Sequence, residues 1–257
     1  MNIVVCIKQV PDIEAPARLE GGELKPDMSR MVLNAYDASA VEAALVLTEK
    51  HGGEVSLLLA GPESASETIR KALAMGAHRA LHIVTDISPD EMDSANSAIL
   101  LAEALKKMEF DFVFCGKQSQ DSDAGLAGAM IAQKLGVPFV GNATALEWSE
   151  EELVVTRQDD RGRERIALPS PGLVTCSNDM NEPRIAGLRG IMQAKSKPLE
   201  TTPVSELGLS AAELKARTVV RSVEEKPGRQ AGVKLEGEPE ELVREMFRLL
   251  PEEYLNE

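Results

Sequence analysis

The chain has 257 residues and a formal net charge of −14, a length that fits one large domain or one domain with an appendage. Aromatic residues make up only 3% of it. This composition argues against a nucleic-acid-binding protein, because phosphates attract clustered Lys and Arg and single-stranded bases stack on aromatic rings. No apolar run approaches the ~20 residues of a membrane-spanning helix, so we expect no direct insertion into a membrane.

The first residues, Met1–Ile7, have the pattern of a strand rather than of a secretory signal. Cys6, Cys115 and Cys176 each lie within an apolar run and form neither a CxxC pair nor a Cys/His cluster. No metal site is therefore predicted. We expect three small buried hydrophobic side chains in a reducing, cytoplasmic compartment.

Apolar runs of strand length alternate with helical patterns through the first two-thirds of the chain. The predicted strands are Ile3–Val10, Val55–Ala60, Ala80–Val84, Phe112–Cys115 and Leu173–Cys176, and the predicted helices are Asp37–Lys50, Ser64–Met75, Ser94–Met108 and Asp123–Leu135. Continuous apolar strands are typical of parallel sheets that are covered on both faces. The alternation predicts an α/β fold with a doubly wound, mostly parallel sheet.

The remaining third has a different character. Two short β-type stretches, Leu153–Arg157 and Arg165–Leu168, surround a turn, and from about Lys195 the chain reads as an extended arm. The arm contains a short predicted helix around Ser210–Ala216 and ends in an amphipathic helix at Pro239–Leu250. The apolar stripe of that last helix must dock on this domain or on another chain.

The segment that follows the fourth predicted strand, Gly116–Gly128, is the most informative one for a site. It runs from a strand end into a helix start, where free backbone N–H groups and the helix dipole suit a phosphate. Ser122 adds a hydroxyl, and the small residues nearby leave the backbone open to a ligand. Ordinary capping by Asp121, Ser122 or Asp123 is the equal alternative. The segment matches neither GxxxxGK[ST] nor GxGxxG.

Other strand ends lead to the same sheet edge. Asn34 and Asp37 precede the first helix and could bond a base or a ribose, although a plain N-cap role for Asp37 is also open. The ends at 6–9 and 60–62 complete a crevice bounded by residues 6–9, 34–37, 60–62 and 116–128, which predicts a nucleotide site. No nucleophile–base arrangement emerges, so no catalytic residue is assigned.

Several motifs resemble one known family. Asn181–Lys195 reads NEPRIAGLRGIMQAK and strongly resembles the NEPR…IM.AK motif of electron-transfer flavoprotein beta subunits. Val5–Asp12, Ala72–Ala77, Gly116–Gln118 and Arg229–Lys234 look like the same family, so the resemblance covers nearly the whole chain.

The resemblance implies a Rossmann-like or flavodoxin-like domain at 1–195, and a C-terminal arm with its terminal helix at 196–257 that docks on an alpha subunit. That partner would hold a redox-active FAD, and this chain would bury a structural AMP. The AMP contacts would fall on Cys6, Asn34, Ala35, Tyr36, Asp37, Ala60, Gly116, Lys117, Gln118, Asp121, Ser122, Asp123, Ala124, Gly125, Leu126 and Ala127.

The resemblance also implies a recognition loop at about 176–198. Leu188 matches the anchoring leucine that docks on flavin dehydrogenases such as acyl-CoA dehydrogenases, and Arg184, Ile191 and Met192 lie in the same loop. The alternative for Leu188 is that it packs a turn of its own domain. Gly187 and Arg189-Gly190 depart from the family pattern near the leucine, which affects the identity of the partner.

Three hypotheses follow. The first is an electron carrier between flavin dehydrogenases, as in fatty acid β-oxidation, and a membrane quinone oxidoreductase. The second is an electron-bifurcating flavoprotein that carries a second FAD in place of AMP and takes electrons from NADH. The third is a stand-alone adenine-nucleotide-binding regulator. Ala124 and Ala127 stand where many family members have a threonine-containing phosphate loop, whereas Arg229–Lys234 resembles the AMP type and favours the first hypothesis.

Overall fold

The computed structural model describes residues 1–15, 18–21, 23–25, 28–88, 91–149, 151–224 and 231–250. Residues 225–230, which include the start of the Arg229–Lys234 motif, lie outside the described residues. The contacts divide the chain into one unit of residues 1–222 and a second of residues 223–257. All the crevice and recognition-loop residues belong to the first unit.

The strands are Asn2–Cys6 (β1), Gln9–Pro11 (β2), Arg18–Glu20 (β3), Glu23–Lys25 (β4), Met31–Leu33 (β5), Glu54–Gly61 (β6), Arg79–Val84 (β7), Phe112–Gly116 (β8), Phe139–Ser149 (β9), Glu152–Asp159 (β10), Gly162–Leu168 (β11), Gly172–Cys176 (β12) and Leu199–Pro203 (β13). The α-helices are Ala35–His51 (α1), Ser66–Met75 (α2), Ser94–Leu105 (α3), Ala127–Leu135 (α4), Leu188–Ala194 (α5) and Pro239–Leu249 (α6).

A nine-stranded sheet forms the centre of the first unit, in the order β11-β10-β9-β12-β8-β1-β6-β7-β13. Seven neighbouring strands of this sheet pair in parallel, in the order β9-β12-β8-β1-β6-β7-β13. At the β9 edge, β10 and β11 extend the sheet as antiparallel hairpins. The chain builds β1, β6 and β7 in one direction and then returns to place β8 and β12 on the other side of β1. This reversal beside the first strand defines a doubly wound sheet.

Helices cover both faces of the sheet. Successive strand residues point to opposite sides, so Val5, Leu57 and Phe114 pack with α1, α2 and α5. Val4, Leu58 and Val113 pack with α3 and α4 on the other face. The predicted α/β class with a mostly parallel sheet is confirmed.

Several element boundaries differ from the sequence prediction. The predicted strand Ile3–Val10 is divided: β1 ends at Cys6, and β2 pairs with β5 in a separate two-stranded sheet. The predicted helix Asp123–Leu135 begins only at Ala127, because Asp123 has a φ of 52°, a left-handed value that a helix does not accommodate. The predicted helix around Ser210–Ala216 is a series of turns.

Two strands of the nine-stranded sheet were not predicted, and neither were the short strands β3, β4 and β5 outside it. β9 carries polar and half-exposed residues along its length, so it lacks the continuous apolar run of the other parallel strands. β13 is short and partly exposed, and it pairs with β7 at the sheet edge. Both strands are defined by pairing with distant residues rather than by their own pattern.

The segment after β13 continues along α3 instead of leaving the domain. Leu207 is buried, Leu214 packs on the same core, and Asp93 at the start of α3 accepts hydrogen bonds from Arg217 N and Thr218 N. The assignment of 196–257 to an arm that embraces another chain concerns a complex and stays a prediction.

The second unit contains the predicted amphipathic helix. In α6, Val243, Met246, Phe247 and Leu249 are each about half exposed. In the described part of the chain, no helix has both the length and the apolar character needed to cross a membrane.

Candidate functional site

The carboxyl ends of β8, β1 and β6 lie side by side. Cys6 pairs in register with Cys115 on one side and with Leu58 on the other. The order of the strands reverses between β1 and β8, and in open α/β sheets a ligand sits in the crevice beyond such a switch point. The fold therefore brings Cys6, Ala60 and Gly116, predicted from separate motifs, to one edge.

Asp37 is bound between two of these strand ends. It lies in the first turn of α1 with only 5% of its surface exposed. Its Oδ2 accepts a hydrogen bond from Lys8 N at 2.7 Å, and its Oδ1 accepts one from Gly116 N at 3.0 Å. The plain N-cap role is wrong, because the N-cap position of α1 is Asn34. Burial raises the pKa of Asp37 to about 7, although the Asn34 side chain and the two backbone donors lower it.

Asn34 ties the start of α1 to the segment after β8. Its Nδ2 donates to Gln118 O at 2.9 Å, and its Oδ1 accepts from Gln120 N at 3.1 Å. The Gln120 side chain returns the contact, since its Oε1 accepts from Ala35 N at 3.1 Å. The predicted crevice residues Asn34, Ala35, Gln118 and Gly116 are thus held together by hydrogen bonds. Direct contact of Asn34 or Asp37 with a base or a ribose stays a prediction.

Lys8 lies in the predicted crevice range 6–9, but sequence reasoning gave its side chain no role. Its Nζ lies 2.9 Å from Asp121 Oδ2 and 2.9 Å from Ser119 Oγ, while 43% of its side chain stays exposed. The Ser119 hydroxyl also donates to Asp121. The signal that could have identified it is its position: Lys8 lies two residues after Cys6, at the end of the first predicted strand.

The two aspartates of the 116–128 segment are both bonded by neighbours. Although burial raises it, the pKa of Asp121 is lowered by Lys8 and by the Ser119 and Ser122 hydroxyls. Asp123 Oδ1 accepts a hydrogen bond from Gln118 Nε2 at 2.9 Å. The charge of Asp121 is therefore balanced by Lys8, and Asp123 is hydrogen-bonded to a neutral side chain of the same segment.

The N-terminus of α4 has no side-chain cap. Its N-cap residue is Leu126, 60% exposed, and none of Asp121, Ser122 and Asp123 occupies that position. The first N–H groups of the helix therefore receive no acceptor from a capping side chain and can donate to another partner. Gly128 is required for packing, because a Cβ at this position would overlap the Thr175 side chain.

The three cysteines are free and buried near the same edge. The hydrogen bond with Cys6, together with burial, raises the pKa of the Cys115 thiol. Burial also raises the pKa of Cys176. The thiols of Cys115 and Cys176 are therefore protonated and non-nucleophilic, as expected of small buried hydrophobic residues. Among the described residues, no group of His, Cys, Asp and Glu could hold a metal ion.

A cavity of about 560 Å³ adjoins the crevice, next to the ends of β1 and β6. Such a volume is in the range of small-molecule sites. Its lining combines apolar and charged side chains, namely Gln9, Asp12, Met28, Ser29, Arg30, Met31, Val32, Pro62, Ser64, Glu67 and Lys71.

Arg184 in the recognition loop is bound by two glutamates of α1. Its Nε and Nη2 donate to the Glu42 carboxylate at 2.7 and 3.0 Å, and its Nη1 and Nη2 donate to Glu49 at 2.5 and 3.0 Å. Its backbone N–H also donates to Glu42. Hydrogen bonds with both glutamates raise the pKa of Arg184. Its predicted contact with a partner protein stays a prediction, while the structure shows it fixing the loop to α1.

The rest of the recognition loop is held at both ends and exposed in the middle. Asn181 Nδ2 donates to Ser39 O at 3.0 Å, and Arg70 Nη1 donates to Ala194 O and Lys197 O at 2.7 Å each. Between these anchors stand the apolar side chains that the sequence assigned to docking, and one more, Ile185: their exposed fractions are Ile185 96%, Leu188 76%, Ile191 48% and Met192 65%. The alternative that Leu188 packs a turn of its own domain is wrong.

Comparisons with known proteins identify one family. The sequence profile of the family described as electron transfer flavoprotein domain matches residues 27–207. The chain is 35% identical over 255 residues to the electron transfer flavoprotein subunit beta of Bacillus subtilis, with 98% of each chain covered. It is 34% identical over 241 residues to the subunit beta of Syntrophomonas wolfei, covering 93% of this chain and 92% of that one. It is also 36% identical over 213 residues to the caffeyl-CoA reductase-Etf complex subunit CarD of Acetobacterium woodii, covering 82% and 81%.

Proposed function

Since the chain belongs to the electron transfer flavoprotein family, we propose that it is the beta subunit of a heterodimeric electron carrier. In this proposal it binds AMP as a structural nucleotide in the crevice and pairs with an alpha subunit that holds the redox-active FAD. Donors would be flavin dehydrogenases such as acyl-CoA dehydrogenases, and the acceptor a membrane quinone oxidoreductase.

The observation that carries the nucleotide proposal is the donor set at the switch point. The uncapped start of α4 leaves backbone N–H groups for a phosphate. Lys8 supplies a cation at the same edge, paired with Asp121 but with 43% of its side chain exposed. Ala124 and Gly125 are exposed, so no side chain blocks the approach. This chemistry fits a mononucleotide whose phosphate lies at the helix start.

The roles of this chain are binding and positioning. FAD, when bound, accepts and passes on the electrons. The residues of this chain hold the AMP, and the recognition loop brings the donor close to the flavin. Leu188 anchors the donor as an exposed apolar side chain on a fixed base, which is how a small interface gains affinity from few contacts.

A second candidate keeps the fold and replaces AMP with a second FAD, with NADH as the electron donor. The cavity of about 560 Å³ beside the crevice favours it, because a dinucleotide whose adenosine half filled the crevice would need room for its flavin half. One of the relatives described above is named as a subunit of a caffeyl-CoA reductase-Etf complex.

The nucleotide content decides between these candidates. The chain is co-expressed with its alpha subunit, the purified heterodimer is denatured, and the released nucleotides are quantified by chromatography. One FAD and one AMP per heterodimer support the simple carrier, whereas two FADs and no AMP support the second candidate. A stable flavin-free monomer that binds adenine nucleotides would contradict both and support a stand-alone regulator.

A further inference from the structure

The Asp37 carboxylate contacts the backbone on both sides of the crevice. We propose that Asp37 is a positioning residue of the nucleotide site: its ionised carboxylate holds the backbone after β1 and after β8 in the binding arrangement, and protonation weakens its hold on one of the two. The inference rests on the proposed nucleotide site, whose failure the experiment below detects separately.

The geometry assigns one carboxylate oxygen to each strand end. The parallel pairing of β1 with β8 runs as far as Cys6 and Cys115. Immediately beyond it, Lys8 N donates to Oδ2 and Gly116 N donates to Oδ1. The first turn of α1 therefore continues the connection between the two strands where their own pairing stops. This fixes the separation of the segments that carry Lys8 and the 116–128 backbone.

The lack of a side chain at Gly116 supports the same assignment. A Cβ there would overlap Asp37 Oδ1 and come within 2.8 Å of Tyr36 Cβ and 2.9 Å of Asp37 N. The close approach of α1 to the end of β8 thus requires glycine at 116.

Protonation has a definite consequence for these contacts. An ionised carboxylate accepts charge-assisted hydrogen bonds at both oxygens, whereas protonation turns one oxygen into a hydroxyl, which is a weaker acceptor for the N–H group that it faces. Because burial raises the pKa of Asp37 to about 7, this weakening falls close to neutral pH. Protonation therefore weakens the bond that Asp37 accepts from either Lys8 N or Gly116 N.

The groups around Asp37 are an ion pair, two thiols and an amide. The Lys8 ammonium at the end of β1 is paired with Asp121, whose pKa is lowered by that contact against the effect of burial. The thiols of Cys115 on β8 and Cys176 on β12 face Asp37, and their pKa values are raised. From α1 itself the neighbour is the neutral Asn34 side chain. The change in charge near neutral pH thus belongs to Asp37.

The test is the pH profile of nucleotide affinity in the heterodimer after removal of its resident nucleotide. The probes are AMP, FAD and adenosine; adenosine is included because it lacks the phosphate whose own pKa is about 6. If only the ionised form binds, the Kd for adenosine should be about tenfold higher at about pH 6 than at about pH 8, since the ionised fraction falls tenfold per unit below the pKa. Asp37→Asn should bind more weakly at the higher pH and show a flat profile.

The matched control is Asp159→Asn. Asp159 also accepts two backbone N–H groups, those of Arg161 and Gly162, but in the turn between β10 and β11. This variant should keep the native affinity and the native pH profile.

Each outcome is decisive. Equal Kd values and equal profiles for the native protein and Asp37→Asn would overturn the positioning role while leaving the nucleotide site intact. If the native heterodimer binds none of the three probes, the proposed site itself is wrong and the inference fails with it. If Asp37→Asn does not fold, the native profile for adenosine decides, and a flat one overturns the inference.

Discussion

The crevice and the recognition loop both depend on α1, yet they expose opposite kinds of group. At the crevice, Asn34 and Asp37 connect backbone segments to each other, and these hydrogen bonds hold the polar edge in place. In the recognition loop, polar contacts occur at the two ends, and apolar side chains such as Ile185 and Leu188 stand exposed between them.

The difference matches the two proposed tasks. A structural nucleotide benefits from donors that are already in place, because pre-organisation reduces the cost of ordering the site. A transient docking contact benefits from exposed apolar anchors on a rigid base, since a few such residues supply most of the affinity. Helix α1 serves both, through its first turn for the crevice and through Glu42 and Glu49 for the loop.

The largest expected effect concerns the charge of Asp37. A folded-state pKa raised from 3.8 to about 7 means that the folded protein binds more protons in this range, so the stabilisation from this group is complete below about pH 4 and is lost as the pH rises to about 7. Relative to Asp37→Asn, the native free energy of unfolding should fall by up to about 4 kcal/mol across that range, at about 1.4 kcal/mol per pKa unit. Urea unfolding from about pH 4.5 to 8 measures it. A constant difference would contradict the raised pKa.

Gly116→Ala should distort the crevice by steric overlap between the new Cβ and α1. The added Cβ has no space between Asp37 and Tyr36, and such overpacking costs about 1–3 kcal/mol. Thermal unfolding and nucleotide content report the two consequences. Gly187→Ala is the matched control, because a Cβ there meets nothing within 4 Å. An unchanged Tm for Gly116→Ala would show that α1 can move away from β8.

Removing Arg184 should break the base of the recognition loop. Arg184→Met and Glu42→Gln should each cost about 1–2 kcal/mol, below the 3–5 kcal/mol of a fully buried pair because the arginine is one-third exposed. A double-mutant cycle should give a coupling energy of at least about 0.5 kcal/mol, as residues in direct contact do. Additive losses would indicate that the guanidinium acts elsewhere, for example on a partner protein.

Asp93→Ala should release the segment that follows β13. The Asp93 side chain caps α3 and binds Arg217 N and Thr218 N, and loss of such a cap costs about 1 kcal/mol or somewhat more. Although burial raises it, the pKa of Asp93 is lowered by these backbone donors, so its contribution is present at neutral pH and is lost as the pH falls through the folded-state pKa. Hydrogen exchange at residues 214–218 should increase in the variant, and protection equal to the native level would contradict the anchor.

The smallest stability effect should come from Leu188→Ala. This exposed side chain has few contacts of its own, so the free energy of unfolding should change by less than about 0.5 kcal/mol. Electron transfer from a cognate dehydrogenase should nevertheless require at least about tenfold more heterodimer for half-maximal rate, the loss of a hot-spot contact. A raised KM with an unchanged Tm would show that Leu188 serves docking and not stability, unlike the crevice residues. If the variant had the same kinetics as the native protein, Leu188 would not be the anchor.

Asp37 also shows a conflict between stability and the proposed function. The folded state gains stability when this carboxyl is protonated, whereas the crevice is ordered when it is ionised. Functional sites commonly break a rule of stability in this way. The neutral replacement is therefore expected to gain relative stability at high pH while it loses nucleotide affinity.

Much of the fold and of the crevice was predictable from local pattern. Continuous apolar runs such as Phe112–Cys115 identify buried parallel strands, because both of their faces are covered. Once those strands alternate with helices, their carboxyl ends must meet at one edge, and Cys6, Ala60 and Gly116 are placed there without any knowledge of distances. The recognition loop was predictable in location because its motif is contiguous in the sequence.

Only the tertiary structure decided which side chains perform which task. The roles of Asp37, Lys8 and Arg184 depend on partners 29 to 142 positions away, and no local pattern encodes such a distance. The strands β9 and β13 and the late start of α4 likewise depend on pairing and backbone conformation. The sequence by itself determined the α/β class and the edge that carries the crevice, since periodicity and turn chemistry are local, and the motif shared with the family located the recognition loop. Burial and hydrogen-bond partners arise from packing, and they alone distinguish a residue that contacts a ligand from one that holds the site in place.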